Sequence, residues 1–318
     1  MKTLDELRQF YQQELMPDLR ALEAQRLQVA RKVVLIGGGL VGTAALVGGV
    51  LALQMGSPVP LFFCLIPAGL LAGYVCKSIM KGYRGQFKGQ VIGKLVHFID
   101  EGLSYAPFEG VSQQTFKMST LFKHHIDRYR AEDQVHGTVG STTMGFSEVH
   151  AEYKTHDKNG DHWHTIFKGL FFVADFNKHF HGRTVVLPDT AERLFGSLGK
   201  MFQKWNFSRD QLIQLEDPQF EKEFAAYSTD QVEARYILST SLMERILHFK
   251  RKTGKRIHIA FVRSYVFVAI PYKKNLFEPK LFTSLLNFSP IAEYVSDLQL
   301  GVGVVEDLNL NTRIWSKK

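Results

Sequence analysis

The longest apolar stretch of the chain, Val33–Cys76, runs for 44 residues without Asp, Glu, Lys, Arg or His. The short connection Gln54–Pro58 divides it into Val33–Leu53, with 21 residues, and Val59–Cys76, with 18. Each part is close to the length of ~20 residues that an α-helix needs to cross the hydrocarbon core of a bilayer. The pattern therefore predicts a transmembrane hairpin over residues 33–80, with spans at about 33–53 and 59–76.

Basic residues flank this predicted hairpin on its outer sides, whereas Gln54–Pro58 contains no cation. By the positive-inside rule, this asymmetry predicts a multi-pass membrane protein with both termini in the cytoplasm. The polar first 32 residues lack the apolar core of a cleavable signal peptide, so no cleavage is expected. The flanking cations are Arg26, Arg31 and Lys32 on one side and Lys77, Lys81, Arg84 and Lys88 on the other.

Residues 1–32 have the spacing of an amphipathic helical arm, with Leu4, Leu7 and Tyr11 on one face. Pro17 is placed as the first residue of a second helix that continues into the first span. A helix that begins at Pro17 and runs through the first span is longer than a bilayer is thick, so its N-terminal part is expected in the cytoplasm. Three placements are open for the arm: on the chain's own C-terminal domain, on the membrane surface, or against another subunit.

Glycines four residues apart occur in both predicted spans, at Gly38 and Gly42 and again at Gly69 and Gly73. This spacing places two positions without side chains on one helix face, where another helix can approach closely. The four glycines are therefore predicted to mediate helix packing. The two alternatives are packing of the spans against each other and contact between copies of the chain.

The run from Val33 to Gly42 also matches the glycine-rich fingerprint of dinucleotide-binding proteins. That fold requires an acidic residue about 20 residues further on to bind the ribose hydroxyls. The chain has no acidic residue between Glu23 and Asp100, and the helix after the glycines has no polar face. The dinucleotide interpretation is therefore rejected, and no cofactor is predicted.

Residues 82–318 show short strand-like and helix-like segments in mixed order, which predicts a cytosolic α+β domain with a largely antiparallel sheet. Strands are expected over Gln134–Thr143 and Phe146–Thr155, and His162–Asp175 is expected as a long return strand after an Asn-Gly turn. A second strand pair is expected around Ser264. Further predictions are a strand over Lys178–Leu187, flanking strands over Arg256–Arg263 and Tyr265–Tyr272, and helices over Lys88–Glu101, Gln113–Lys123, Thr190–Gln203, Pro218–Ala226, Ser228–Lys250, Phe277–Leu286 and Ile291–Leu300.

Composition adds one feature to this picture. The chain has 318 residues and a formal net charge of +8, and nine basic residues fall between Arg245 and Lys274 without an acidic one. The densest part of this window is predicted to contact anionic lipid headgroups or a protein partner, or to be an ordinary solvated turn. Nucleic acid is not the expected partner because no aromatic stacking motif accompanies the cations. The residues of this basic cluster are Lys250, Arg251, Lys252, Lys255 and Arg256.

Metal and redox chemistry have little support. Both cysteines, Cys64 and Cys76, lie in the apolar stretch, where a disulfide framework is not expected. His162 with His164, and His179 with His181, are each two apart and share a strand face, so four imidazoles would converge if the two strands were neighbours. No carboxylate or thiolate ligand stands at a matching spacing, and this metal site is kept only as a weak alternative. The full histidine set of that alternative is His162, His164, His179 and His181.

Four segments resemble a bacterial inner-membrane protein family of unknown function: Gly169–Lys178, Leu215–Pro218, Phe220–Lys222 and Asp230–Tyr236. The resemblance extends from about Leu4 to near the end of the chain. It implies two N-terminal transmembrane helices, a cytosolic domain and a genomic association with LemA-type membrane proteins. It assigns no catalytic residue. The residues of these segments are open to a functional or a structural interpretation.

The function predicted from these observations is that of a membrane-anchored scaffold or interaction protein. Its partners are expected to be membrane lipids and a protein, which is either a second copy of the chain or another protein such as a LemA-type one. An enzyme is the less favoured alternative, with polar residues around Asp175, His179 and His181 as its site. The third alternative is an anionic-lipid-binding module that uses the basic cluster.

Overall fold

The computed structural model describes residues 2–158, 160–176, 181–188 and 211–311. Two compact units make up the chain. The sheet unit comprises Val96–Leu276 and Val295–Lys318, and the helical unit comprises Lys2–Leu95 and Phe277–Tyr294. The predicted domain boundaries at residues 32, 80 and 82 stay predictions, because these units group the chain by contact only.

Within the described ranges, a nine-stranded antiparallel sheet dominates the sheet unit, which confirms the predicted α+β class. Its strand order is β1-β2-β3-β4-β9-β8-β5-β7-β6. The strands are β1 (Leu103–Ala106), β2 (Arg128–Val139), β3 (Thr142–Asp157), β4 (Gly160–Asp175), β5 (Arg183–Pro188), β6 (Gln211–Ile213), β7 (Phe224–Ser228), β8 (His258–Val262) and β9 (Tyr265–Pro271).

The central strands are buried on both faces, which explains why their sequences are continuous apolar runs. Ser147 pairs with Phe171 and Phe146 pairs with Phe172, so these two adjacent phenylalanines of β4 point to opposite faces. Phe171 belongs to a core with Phe116 from a short helix, at 4.9 Å between ring centroids. On the other face, Gly301 of the last helix lies against the ring of Phe146. Both cores therefore share one sheet.

The helices are α1 (Leu4–Phe10), α2 (Met16–Met55), α3 (Val59–Phe87), α4 (Gly93–Ile99), α5 (Gln113–Met118), α6 (Pro218–Glu223), α7 (Gln231–Ile237), α8 (Thr240–Thr253) and α9 (Phe288–Asp307). Two π-helical turns, Tyr11–Leu15 and Lys88–Ile92, join α1 to α2 and α3 to α4. Pro17 lies in the first turn of α2, and Gly56 ends that helix in the left-handed conformation. These are the start and stop signals that the sequence carries.

The predicted helix over Phe277–Leu286 is wrong. This part of the chain is irregular, and α9 begins only at Phe288. Its backbone groups bond to side chains of α2 and of the preceding π-turn instead of to one another: the Tyr11 hydroxyl donates to the carbonyl of Leu286 at 2.7 Å. We call residues 277–294 the connecting segment, because the chain leaves the sheet unit after Leu276 and returns to it at Val295.

Three short strands were not predicted, namely β1, β6 and β7. They contain four, three and five residues, too few for a clear period-two pattern. The predicted helix over Ser228–Lys250 is two helices, α7 and α8, with a break just before Thr240. The predicted helix over Thr190–Gln203 lies outside the described residues.

Candidate functional site

The first candidate surface is the apolar part of α2 and α3, which are long and apolar enough to cross a membrane. Only 11% and 6% of their most apolar windows are buried within the chain. Leu53 is 86% exposed and Phe63 is 76% exposed. The core helix of a soluble protein is mostly buried, so these two helices present apolar surface that the chain itself does not cover.

Two glycines bring α2 and α3 together, and they are not the predicted ones. A Cβ on Gly48 would lie 2.9 Å from the Cα of Leu61 and 3.2 Å from the Cβ of Cys64. A Cβ on Gly37 would lie 3.1 Å from the sulfur of Cys76. That sulfur is also 3.9 Å from the carbonyl oxygen of Val33, so the two apolar segments end at the same level.

The four predicted packing glycines are placed differently. No described atom lies within 4 Å of a Cβ built on any of them, apart from their own helix. Packing between the spans, the first alternative for these positions, is therefore not what the structure shows among the described residues. Contact between copies stays a prediction. The four are Gly38, Gly42, Gly69 and Gly73.

Below the apolar segments, the N-terminal arm packs on the connecting segment. The ion pair between Glu23 and Arg26 forms the centre of this contact, at 2.8 Å, with side chains that are mostly buried. Arg26 also donates to the carbonyl of Leu281 at 2.5 Å, and the N–H of Leu285 donates to Glu23 at 2.9 Å. The hydrogen bond from Arg26 lowers the pKa of Glu23 to about 2. Of the three open placements, the arm thus occupies one on its own chain.

A second ion-pair group lies at the π-turn after α3. Lys88 is 1% exposed and lies 3.0 Å from the carboxylate of Glu278, which also pairs with Arg84. Pattern reasoning missed this group because Glu278 is distant from the two cations in sequence. The feature that points to this ion-pair group is the π-turn, because π-turns are frequent at functional sites. A π-turn is a feature of the backbone conformation, so the sequence pattern does not reveal it.

The predicted basic cluster lies at the end of α8 and in the turn after it. Lys250 pairs with Glu223, and Lys252 pairs with Asp307 at 2.8 Å. Lys255 lies over the ring of Tyr272, at 4.0 Å from its centroid. Cations at a helix C-terminus also offset the helix dipole. Much of the cluster's charge is thus used within the chain.

The remaining two cations of the cluster are exposed. Arg251 makes a long bond of 3.4 Å to Gln219, and Arg256 lies just beyond the left-handed Gly254 that ends α8. Together with Lys250 and Lys255, they line a groove of about 300 Å³. This groove is the position in the sheet unit where the predicted contact residues come together.

A larger groove of about 670 Å³ shares Leu247 and Arg251 with the first and extends between α6 and α8. Its wall carries the acidic residues Glu216, Asp217 and Glu244. The two grooves therefore form one open surface in which a basic part adjoins an acidic part. A surface of mixed charge suits a polypeptide with both charge signs better than it suits a small anion.

The histidines of the weak metal alternative are not brought together among the described residues. His162 and His164 lie on β4, whereas His181 precedes β5, and strands β9 and β8 separate β4 from β5 in the sheet. His162 lies 3.0 Å from Asp157, and His164 lies 2.8 Å from the hydroxyl of Thr155. The neighbouring strands that the site required are therefore missing from the described sheet, and His179 lies outside the described residues. The backbone N–H of His181 donates to Glu233 at 2.8 Å.

Pattern reasoning also missed a buried carboxylate. Glu148 is 5% exposed and accepts a hydrogen bond of 2.7 Å from the N–H of Leu276. Burial raises its pKa to about 7, and the nearby Asp133 and Glu132 add to that rise. A single carboxylate within the apolar run of β3 was the available signal. The strands on either side of β3 bury this side chain, so the sequence of β3 alone does not show that it is buried.

Several residues in the family-like segments have structural contacts. Asp217 accepts the N–H of Gln219 at 2.8 Å at the start of α6, and Asp230 accepts that of Val232 at 2.9 Å at the start of α7. A Cβ on Gly169 would lie 2.1 Å from the carbonyl oxygen of Ile270. These are helix caps and a close approach of backbones, which favours the structural interpretation of those residues.

Part of the chain matches a protein family whose function is unknown. Residues 165–310 match the profile of a family described as Protein of unknown function (DUF3137). All four family-like segments lie in that range, which is less than half of the chain. No curated protein matches the chain.

One solved structure is similar, the crystal structure of the mycobacterial trehalose monomycolate transport factor A, TtfA. The identity is 10%, over 67% of this chain and 93% of that chain, with a TM-score of 0.34. A score of that size supports no conclusion about fold or function.

Proposed function

We propose that the protein is a membrane-anchored scaffold of the bacterial inner membrane, whose sheet unit binds a protein partner or another copy of the chain. The observation that carries the anchor is the uncovered apolar surface of α2 and α3. Exposed side chains such as Leu53 and Phe63 are costly in water, and lipid removes that cost. Two antiparallel helices joined by a short uncharged turn suit a hairpin that enters and leaves the bilayer on one side.

A topology experiment tests the anchor. Cys64→Ala with Cys76→Ala gives a background without cysteine, into which Ser57→Cys or Gln13→Cys is introduced. In intact cells, a membrane-impermeant maleimide is expected to label position 57 and to label position 13 only after permeabilisation. The protein is also expected to stay in the membrane pellet at alkaline pH. Release at alkaline pH, or labelling of position 13 in intact cells, would contradict the proposal.

The scaffold part of the proposal is supported by the open surface of mixed charge between α6 and α8. The described lining residues of its two grooves include no histidine and no cysteine. Asp217 on its wall is engaged as a helix cap. Binding of a polypeptide therefore accounts for this surface better than catalysis does. A LemA-type protein is a candidate partner on the strength of the family resemblance alone.

A purification experiment tests the scaffold. The full chain is purified in mild detergent, and its mass and stoichiometric companions are measured for wild type and for Glu244→Arg with Arg251→Glu. Both residues are exposed and line the larger groove. The double variant is expected to lose the companion or the oligomer, whereas Arg235→Glu, an exposed change on α7 away from the groove lining, is expected to keep it. A wild-type monomer without a companion would contradict the scaffold.

A further inference from the structure

The cations that border the apolar parts of α2 and α3 fall into two groups. Four cations further from the apolar segments are paired with acidic side chains inside the helical unit. Lys94 pairs with Asp18 at 2.5 Å, and Arg26 pairs with Glu23 at 2.8 Å. Arg84 and Lys88 share Glu278. The chain's own carboxylates therefore neutralise this group.

The second group lies closer to the apolar segments and is not neutralised in this way. All four members are exposed, and no ion pair joins any of them to an acidic residue within the described ranges. We call them the boundary cations: Arg31, Lys32, Lys77 and Lys81.

The position of the boundary cations is set by the packing of the two helices. Cys76 of α3 lies against Gly37 and the carbonyl of Val33 in α2, so the charged flanks of both helices start at one level. At a rise of about 1.5 Å per residue, all four cations lie within about 8 Å of that level along the helix axes. This is the depth at which a bilayer changes from hydrocarbon to phosphate.

We infer that the boundary cations form a binding site for the phosphate groups of acidic phospholipids, and this inference rests on the proposed membrane anchor. Apolar side chains on the bilayer side hold the acyl chains, and the unneutralised cations meet the headgroup. The carboxylates of the paired group already bind the cations of that group. They therefore do not compete with lipid phosphate for the boundary cations. The site thus differs from the basic cluster after α8, where two of the five cations are in ion pairs.

The full chain is reconstituted in nanodiscs of phosphatidylcholine that contain a minority of phosphatidylglycerol, and retained lipids are counted by native mass spectrometry. Wild type is expected to enrich phosphatidylglycerol. Glutamine at all four boundary positions is expected to reduce that enrichment about ten-fold or more, since each cation near an anionic surface contributes about five-fold. The charge-preserving variant with Arg31→Lys, Lys32→Arg, Lys77→Arg and Lys81→Arg is expected to retain it.

Glutamine at Lys250, Arg251, Lys255 and Arg256 is the matched control and is expected to leave the enrichment unchanged. The inference fails if the boundary variant keeps its enrichment, if the control loses it, or if inorganic phosphate at constant ionic strength displaces the lipid. Labelling at Ser57→Cys in the boundary variant verifies that the hairpin keeps its orientation. Extraction of the wild type at alkaline pH would refute the membrane anchor itself, whereas an integral wild type without lipid enrichment would refute only this inference.

Discussion

The carboxylate of Glu148 accepts a hydrogen bond of 2.7 Å from the N–H of Leu276, the last residue of the sheet unit before the connecting segment. Glu148 stands opposite Glu132 in the register of β2 and β3, and Asp133 is buried at the bulge beside it. Lys168 on β4 is the cation whose charge acts on it. The carboxylate of Glu148 therefore fixes the backbone of Leu276, where the chain leaves the sheet unit. Its surroundings disfavour the charged form of that carboxylate.

The stability of the sheet unit is expected to fall as the pH rises through neutrality. The fold raises the pKa of Glu148 from 4.5 to about 7, mainly through burial, so the folded chain binds this proton more tightly than the unfolded chain. The contribution is complete below pH 4.5 and is lost as the pH passes about 7. It amounts to at most about 3 kcal/mol.

Glu148→Gln tests this dependence by thermal unfolding at several pH values. The amide oxygen still accepts the Leu276 N–H, and no charge develops, so the variant is expected to be more stable than wild type above pH 7 and less dependent on pH. Glu109→Gln, at an exposed position, is the control and is expected to retain the wild-type slope. Equal slopes in wild type and Glu148→Gln would show that this carboxylate does not carry the effect.

Arg26→Met is expected to loosen the connecting segment. The change removes the donor to the Leu281 carbonyl and leaves Glu23 without its cation. Amide hydrogen exchange over residues 281–286 should accelerate by about ten-fold or more, because a hydrogen bond to a charged group is lost. Arg20→Met removes an exposed cation from the same helix and should leave that exchange unchanged. An unaffected exchange rate in Arg26→Met would contradict the proposed contact.

Gly48→Val is expected to destabilise the helical unit. Its Cβ would lie 2.9 Å from the backbone of Leu61, which cannot move without shifting α3. The neighbouring Gly49 has open space around it, so Gly49→Val has the same helix propensity cost without the clash. Thermal melting in detergent, monitored by circular dichroism, should show a further loss of about 1–3 kcal/mol for position 48. Identical melting of the two variants would mean that the helices do not pack at Gly48.

Gly169→Ala is expected to disrupt the pairing of β4 and β9. Gly169 has a φ of +154°, and a Cβ there would lie 2.1 Å from the Ile270 carbonyl oxygen. A loss of about 3 kcal/mol is expected in the thermal stability of the chain. Gly145→Ala is the matched control, since its Cβ would meet nothing closer than 3.5 Å. If the two variants melt alike, this glycine of the family-like motif has a role other than close packing.

Local patterns predicted much of the fold. The strand pair around Ser264 is confirmed, with Val262 paired to Tyr265, because dense Ile, Val and Phe on both sides of a short turn leave few alternatives. Three short strands were not predicted because each is defined by its pairing with a longer neighbouring strand and not by a pattern of its own. The helix expected over Phe277–Leu286 failed for a related reason, since side chains of the helical unit satisfy its backbone groups.

Residues close together in the chain were enough to predict the two apolar helices, their charged flanks, the turn at Gly56 and the α+β character of residues 82–318. Which charges remain available depends instead on contacts between distant parts of the chain. Glu278 neutralises Arg84 from 194 residues away, and Glu148 meets Leu276 from 128 residues away. Pairing of charges and burial of a carboxylate are properties of distance in space, so no local pattern separates the boundary cations from the paired ones.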